Sequence, residues 1–217
     1  MLRWKKRRNK RRNKRRIRFS VSLAFVVLLL LFALIDRQRL LLQILLAAGL
    51  HECGHFLALR LFGGEIDALR LTVFGAEMRI RHSERLSYGR ELAAVLAGPA
   101  VNLFCALLLG RMAVVMDWER GYMLSGIHML LALFNLLPMR ALDGGRALYL
   151  FLSWCIEPVT AERMMHIVSG AVLCGMLFLG AALQGAVGLQ LPLLVLELWF
   201  IVCWCLETGI VKPLRTG

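Results

Sequence analysis

Residues 40–62 read LLLQILLAAGLHECGHFLALRLF. The block is long and apolar enough to cross a bilayer as a helix, which takes about 20 residues. Yet within it His51-Glu52-Cys53-Gly54-His55 sets three ionisable groups close together. Ionisable side chains inside a membrane are costly and need a compensating interaction. Metal coordination supplies one. Histidines at i and i+4 lie on one face of a helix, where both imidazoles can bind one ion. A zinc ion so held lacks ligands, and a third protein ligand plus water would make an open, catalytic site. Glu52 sits beside that face. Zinc lowers the pKa of its water to about 7, and Glu52 can take the proton and pass it to a leaving amine.

Working outward, hydrophobic residues make up 59% of the chain and fall in blocks of similar length. The blocks predict an all-α polytopic membrane protein with about six spans. These cover approximately 19–35, 40–62, 91–116, 122–139 with a continuation after a break to 156, 161–183 and 189–206. Between spans two and three, Ile66–Val73 and Met78–Arg81 alternate in part, with a turn at Phe74-Gly75-Ala76. That pattern predicts a small membrane-associated β-hairpin whose edge could bind an extended substrate. A simple amphipathic surface loop is the alternative.

The formal net charge of +13 resembles a nucleic-acid signal, but its distribution does not. Residues 3–18 hold 12 of the 27 Lys and Arg and no acidic residue, so without them the chain stands at +1. A basic arm directly before a span marks the cytoplasmic side and attracts anionic lipids. It lacks the interleaved aromatics of a single-strand binder, and nucleic acid is not the expected partner. No small-residue cleavage site ends the apolar run, so the arm does not read as a signal peptide. Arg70, Arg79, Arg81, Arg85, Arg90, Arg140, Arg146, Arg163, Lys212 and Arg215 fall on the same side as the arm. Arg37, Arg39, Arg111 and Arg120 fall on the other. The bias predicts both termini in the cytoplasm and the histidines in the inner half of span two. The domain layout is a basic arm, 1–18, one membrane-embedded domain, 19–211, and a short tail, 212–217.

The third ligand is sought on another span. The best candidate is Asp143, in Asn135-Leu136-Leu137-Pro138-Met139-Arg140-Ala141-Leu142-Asp143-Gly144-Gly145. Pro138 breaks the helix, and the two glycines permit unusual backbone angles and close approach. Broken backbone at membrane depth is tolerated where it lines a cavity or wet site, so Asp143 is expected to face one. Its bland alternative is an ordinary helix N-cap. The six cysteines, none in a C-x-x-C pair, read as small buried hydrophobes. His128 could line the site beside Asn135 or be satisfied by another helix. Gly98 and Pro99 read as packing and bend residues, and Asn102 as a residue that could bond to the cavity backbone. Glu197 and Glu91 are further ionisable groups, and the sequence names no partner for Glu197.

H-E-C-G-H in span two, followed by N-L-L-P-M-R-A-L-D-G-G, resembles the site-2 protease family of intramembrane metalloproteases. Leu96-Ala97-Gly98-Pro99-Ala100-Val101-Asn102 is similar to that family's A-G-P-x-x-N stretch. The wording and spacing look closest to its stage IV sporulation branch. The resemblance implies one zinc ion per site, held by His51, His55 and Asp143, with Glu52 as catalytic acid/base. It implies that Asn135 and Pro138 bind substrate, with Asn135 holding it or orienting the site. The implied substrate is a membrane-tethered protein cut in or near the bilayer, such as the precursor of a sporulation sigma factor. Regulatory partner membrane proteins are implied too, as is a place in the bacterial cell membrane, around a forespore for the sporulation branch. The sequence departs from that branch in ending at Gly217, so neither a CBS domain nor a PDZ insertion is expected. A metal-binding membrane scaffold or transporter without protease activity is the competing reading. It calls for polar groups strung across several spans, whereas here they concentrate in one place. An inactive homologue is disfavoured because every expected catalytic residue type is present.

Overall fold

The computed structural model describes residues 18–36, 40–72, 75–81, 86–188 and 191–208. The arm before Arg18, the tail, Arg37, Arg39, Phe74 and Arg85 lie outside the described residues. The elements run β1 (Arg18–Val21), α1 (Leu23–Ile35), α2 (Leu40–Leu61), β2 (Glu65–Thr72), β3 (Gly75–Arg81) and α3 (Tyr88–Met116). They continue as α4 (Glu119–Asn135), α5 (Asp143–Cys155), α6 (Pro158–Val187) and α7 (Leu191–Glu207). Among the described residues, three helices, α2, α3 and α6, are long and apolar enough to cross a membrane. α4 and α7, at 17 residues each, reach about 26 Å at roughly 1.5 Å per residue, a little under the hydrocarbon thickness of about 30 Å. The outer surface carries Leu34, Leu107, Leu130 and Phe178 exposed. With their backbone bonds closed inside helices and their large apolar side chains facing out, these elements suit lipid. The chain is an integral membrane protein of helical architecture.

The expected first span divides. Phe19–Val21 leave it and, with Arg18 from the end of the expected arm, form β1, parallel to Ala68–Leu71 of β2, and an Arg18–Asp67 ion pair at 2.7 Å ties the two strands. Ser22 then starts α1, accepting the Phe25 N–H at 3.1 Å. An N-cap bond of this kind sets a helix start that apolar content alone does not reveal. Asp36 closes the α1–α2 corner by accepting the N–H groups of Leu40 and Leu41 at 2.9 and 2.7 Å. β2 pairs antiparallel with β3, with an irregularity between Ile66 and Ala68. Gly75 and Ala76, expected in the turn, instead belong to β3 opposite Thr72 and Leu71.

α3 is the centre of the bundle, packed on α2, α4 and α5. Ala94, Gly98, Asn102 and Ala106 recur at every fourth position, so they form one stripe, and all four are buried. Small residues let membrane helices approach closely where lipid supplies no hydrophobic drive. Ser125 of α4 donates to the Ala106 carbonyl at 2.7 Å across that contact.

The break in span four runs from Leu136 to Leu142, and the next helix starts at Asp143 rather than at Ala147. Its ends are tight: the Met139 N–H meets the Leu137 carbonyl at 2.8 Å, and the Leu142 N–H meets Met139 at 2.8 Å. Met139 and Leu142 are buried against Leu173 of α6 and Phe200 of α7. Gly144 and Gly145 do not use unusual backbone angles; among the described glycines only Gly63 and Gly188 have positive φ. Their part is close approach. A Cβ on Gly144 would collide with the Leu136 carbonyl, and one on Gly145 with the Met139 carbonyl. The start of α5 thus folds directly onto the broken backbone. Gly144→Ala is expected to destabilise the protein by about 1–3 kcal/mol through this overpacking. The check is the unfolding midpoint in detergent, and an unchanged midpoint would contradict the contact.

Candidate metal centre

His51 and His55 project from α2 one turn apart, with ring centroids 4.7 Å apart and the rings nearly perpendicular. Asp143 enters from the first turn of α5. Its Oδ2 lies 2.9 Å from His51 Nε2 and 3.1 Å from His55 Nε2, and the two Nε2 atoms are 3.1 Å apart. The three side chains form a group able to hold a metal ion. Asp143 is therefore not the helix N-cap of the alternative reading. Leu142 occupies that position without a side-chain cap, and the carboxylate turns to α2 instead. A carboxylate in the first turn of α5 is also favoured by the helix dipole.

α3 supports the histidines from behind. His55 donates its Nδ1–H to the Ala94 carbonyl at 2.9 Å, which leaves Nε2 as the free lone pair. The ring lies in the space left by Gly98, where a Cβ would strike the imidazole. Pro99 has no N–H for the Val95 carbonyl, which loosens the ladder beside that acceptor. His51 Nδ1 is within 3.2 Å of Asn102 Nδ2, and Asn102 Oδ1 is within 3.1 Å of His128 Nδ1.

Glu52, half-buried on α2, has His55, His51 and Asp143 as its electrostatic neighbours. Asn135, at the last turn of α4, donates its amide to the Leu131 carbonyl of its own helix at 2.9 Å. Pro138 lies inside the break and is partly buried. His128 bonds to Asn102, the bland reading by which another helix satisfies it. Glu91 pairs with Arg146 at 2.8 Å, and Glu197 accepts from Gln184 at 3.4 Å. Cys53, Cys105, Cys155, Cys174 and Cys205 are free thiols; Cys53, Cys155 and Cys174 are exposed rather than buried. The Ala94 carbonyl, the Gly98 seat and the Asn102 contact were the features that sequence reasoning missed. Their signal was the four-residue spacing of Ala94, Gly98 and Asn102.

No family model matches the chain. It is 30% identical over 173 residues to stage IV sporulation protein FB of Bacillus subtilis, an alignment covering 78% of this chain and 58% of that protein. Its fold matches a site-2 protease from Methanocaldococcus jannaschii with a TM-score of 0.65 at 19% identity, covering 94% of this chain and 97% of the other. The chain thus shares the fold of a solved site-2 protease and is similar in sequence to stage IV sporulation protein FB. A zinc metalloprotease of Methanocaldococcus jannaschii is 29% identical over 109 residues, 48% of this chain and 31% of that protein. The chain thus spans less than two thirds of the length of these sequence relatives. The seat of His55 against Gly98 is itself testable. Gly98→Ala should push the His55 ring aside and weaken divalent-metal affinity by about 10-fold or more, the scale for disturbing a ligand's support. Competition with a chromophoric chelator measures it, and wild-type affinity would remove Gly98 from the site.

Proposed function

We propose that this chain is an intramembrane zinc endopeptidase that cuts membrane-tethered proteins in or near the bilayer. The observation that carries this reading is the meeting of His51 Nε2, His55 Nε2 and Asp143 Oδ2. Two imidazoles and one carboxylate are a zinc-type donor set with a fourth position open. The edges of the triangle, 2.9, 3.1 and 3.1 Å, are close to the spacing of about 3.3 Å between ligands of a tetrahedral ion bound at roughly 2.0–2.1 Å. The residues therefore fit the ion. The names of the relatives, two of them zinc metalloproteases or site-2 proteases, support the same assignment.

Bound zinc would supply Lewis acidity toward the scissile carbonyl and a water of lowered pKa. Glu52, on the same turn of α2 as the two histidines, would act as general base and acid, taking a proton from the attacking water and returning it to the leaving amine. Asp143 and the two histidines hold the ion, and the apolar helices around them limit competing water. Asn135 and Pro138, at the mouth of the break, orient the substrate segment. The edge of the three-stranded sheet offers backbone bonds to an unwound substrate. The orientation we favour has both termini in the cytoplasm, with the basic arm on anionic lipid. A transporter would need polar groups continued across the membrane. Among the described residues one metal-ligating cluster occurs, which favours the protease.

The substrates we would test first are sigma-factor precursors tethered to the membrane, a choice supported by the similarity to stage IV sporulation protein FB. Regulation by partner membrane proteins belongs to the same reading. The experiment is co-expression with such precursors, wild type against Glu52→Gln. The variant should retain zinc and lose cleavage by about 10²–10⁴-fold, the usual contribution of a general acid/base. Cleavage at the wild-type rate would reject the mechanism.

A further inference from the structure

Asn102 is fully buried and His128 and His51 are each 5% exposed. They come from three helices, α3, α4 and α2, and form a continuous line from His128 Nδ1 through the Asn102 amide to His51 Nδ1. Burying an amide and two imidazoles is unfavourable unless each polar atom is bonded. A clamp joining α3 to α4 would be complete with the His128–Asn102 bond. The line instead continues to α2, and it ends on the His51 nitrogen opposite the one that faces Asp143.

The chemistry of that nitrogen decides the direction of the bonds. For His51 Nε2 to offer a lone pair to a cation, the proton must sit on Nδ1. Nδ1–H then needs an acceptor, and the atom beside it at 3.2 Å is on Asn102. The O and N of an asparagine amide are assigned from their bonds rather than observed. With the carbonyl oxygen toward His51, the NH₂ group points to His128 Nδ1, which accepts it as a neutral ring carrying its proton on Nε2. All four atoms along the line are then matched. Exchanging the two ends would set two acceptors, or two donors, face to face.

We infer that Asn102 and His128 form a positioning relay that fixes the orientation and proton location of His51. His128 holds the Asn102 amide in one sense, and Asn102 holds His51 with Nε2 free. His55 receives the equivalent service from the Ala94 carbonyl. The relay rests on the metal-site reading above. It adds two residues to it, one of them, His128, outside the motifs that carry the family resemblance.

The test measures zinc affinity of the full chain in detergent by chelator competition, together with the unfolding midpoint of the metal-free protein. Asn102→Leu, of similar shape but without polar atoms, should weaken zinc binding about 10–100-fold, the range for a lost ligand partner. Asn102→Asp keeps an acceptor for the His51 N–H and should stay near wild-type affinity. His128→Leu should weaken binding less than Asn102→Leu, and His128→Gln, which keeps an acceptor, should restore it. Because His128 acts through Asn102, the double Leu variant should bind no worse than Asn102→Leu alone. Unchanged affinity in Asn102→Leu, additive losses in the double variant, or failure of both conservative variants to rescue would overturn the relay. A lowered midpoint with no rescue would mark a packing role only and overturn it equally. If the wild-type chain bound no zinc, the relay and the proposed function would fall together; wild-type binding with indifferent variants would sink the relay alone.

Discussion

Asp143 must reach two imidazoles on a helix far away in sequence, inside an apolar bundle, and most of the middle of the chain serves that meeting. Charged and ionisable groups in a membrane persist when they are gathered and paired. Here the pairing is only possible if α4 stops at Asn135, the chain turns within Leu136–Leu142, and α5 starts at Asp143. Met139 and Leu142 anchor the turn on α6 and α7. The missing side chains of Gly144 and Gly145 let α5 close onto it. A bulkier residue at either position would move the carboxylate, even though neither glycine touches it through a side chain.

α3 acts as the template for the other half of the meeting. Its buried stripe presents an acceptor at Ala94, a void at Gly98 and an amide at Asn102 at successive turns. His55 uses the first two and His51 the third. One periodic feature therefore sets both rings, and it does so with backbone and amide atoms that add no charge to the membrane interior. Packing and chemistry are the same contacts here: the small residues that bring α2 close to α3 also bring the imidazoles to their partners.

Much of this was legible in the sequence because its signals are strong in a membrane. Apolar blocks must form helices in lipid, so the helical membrane architecture followed from composition and spacing. His51 and His55 at i, i+4 imply a shared face, and a Pro-broken, Gly-flanked carboxylate implies a lined site. What stayed hidden was set by tertiary partners. β1 looked like the start of a span because Phe19 and Val21 are apolar; only pairing with β2 shows otherwise. The glycines after Asp143 suggested backbone freedom, whereas the structure uses their lack of volume. His128 and Asn102 lie on different helices, and neither residue alone indicates a line that ends on His51.

We propose that His51, His55 and Asp143 form a single open zinc site. X-ray absorption at the zinc edge on the purified full chain tests it most directly. One zinc per chain is expected, with two imidazoles and the remaining donors oxygen, all at about 2.0–2.1 Å. Asp143→Asn should alter the oxygen part of that shell while leaving both imidazoles. A sulfur shell at about 2.3 Å, fewer than two imidazoles, or a shell indifferent to Asp143→Asn would contradict it.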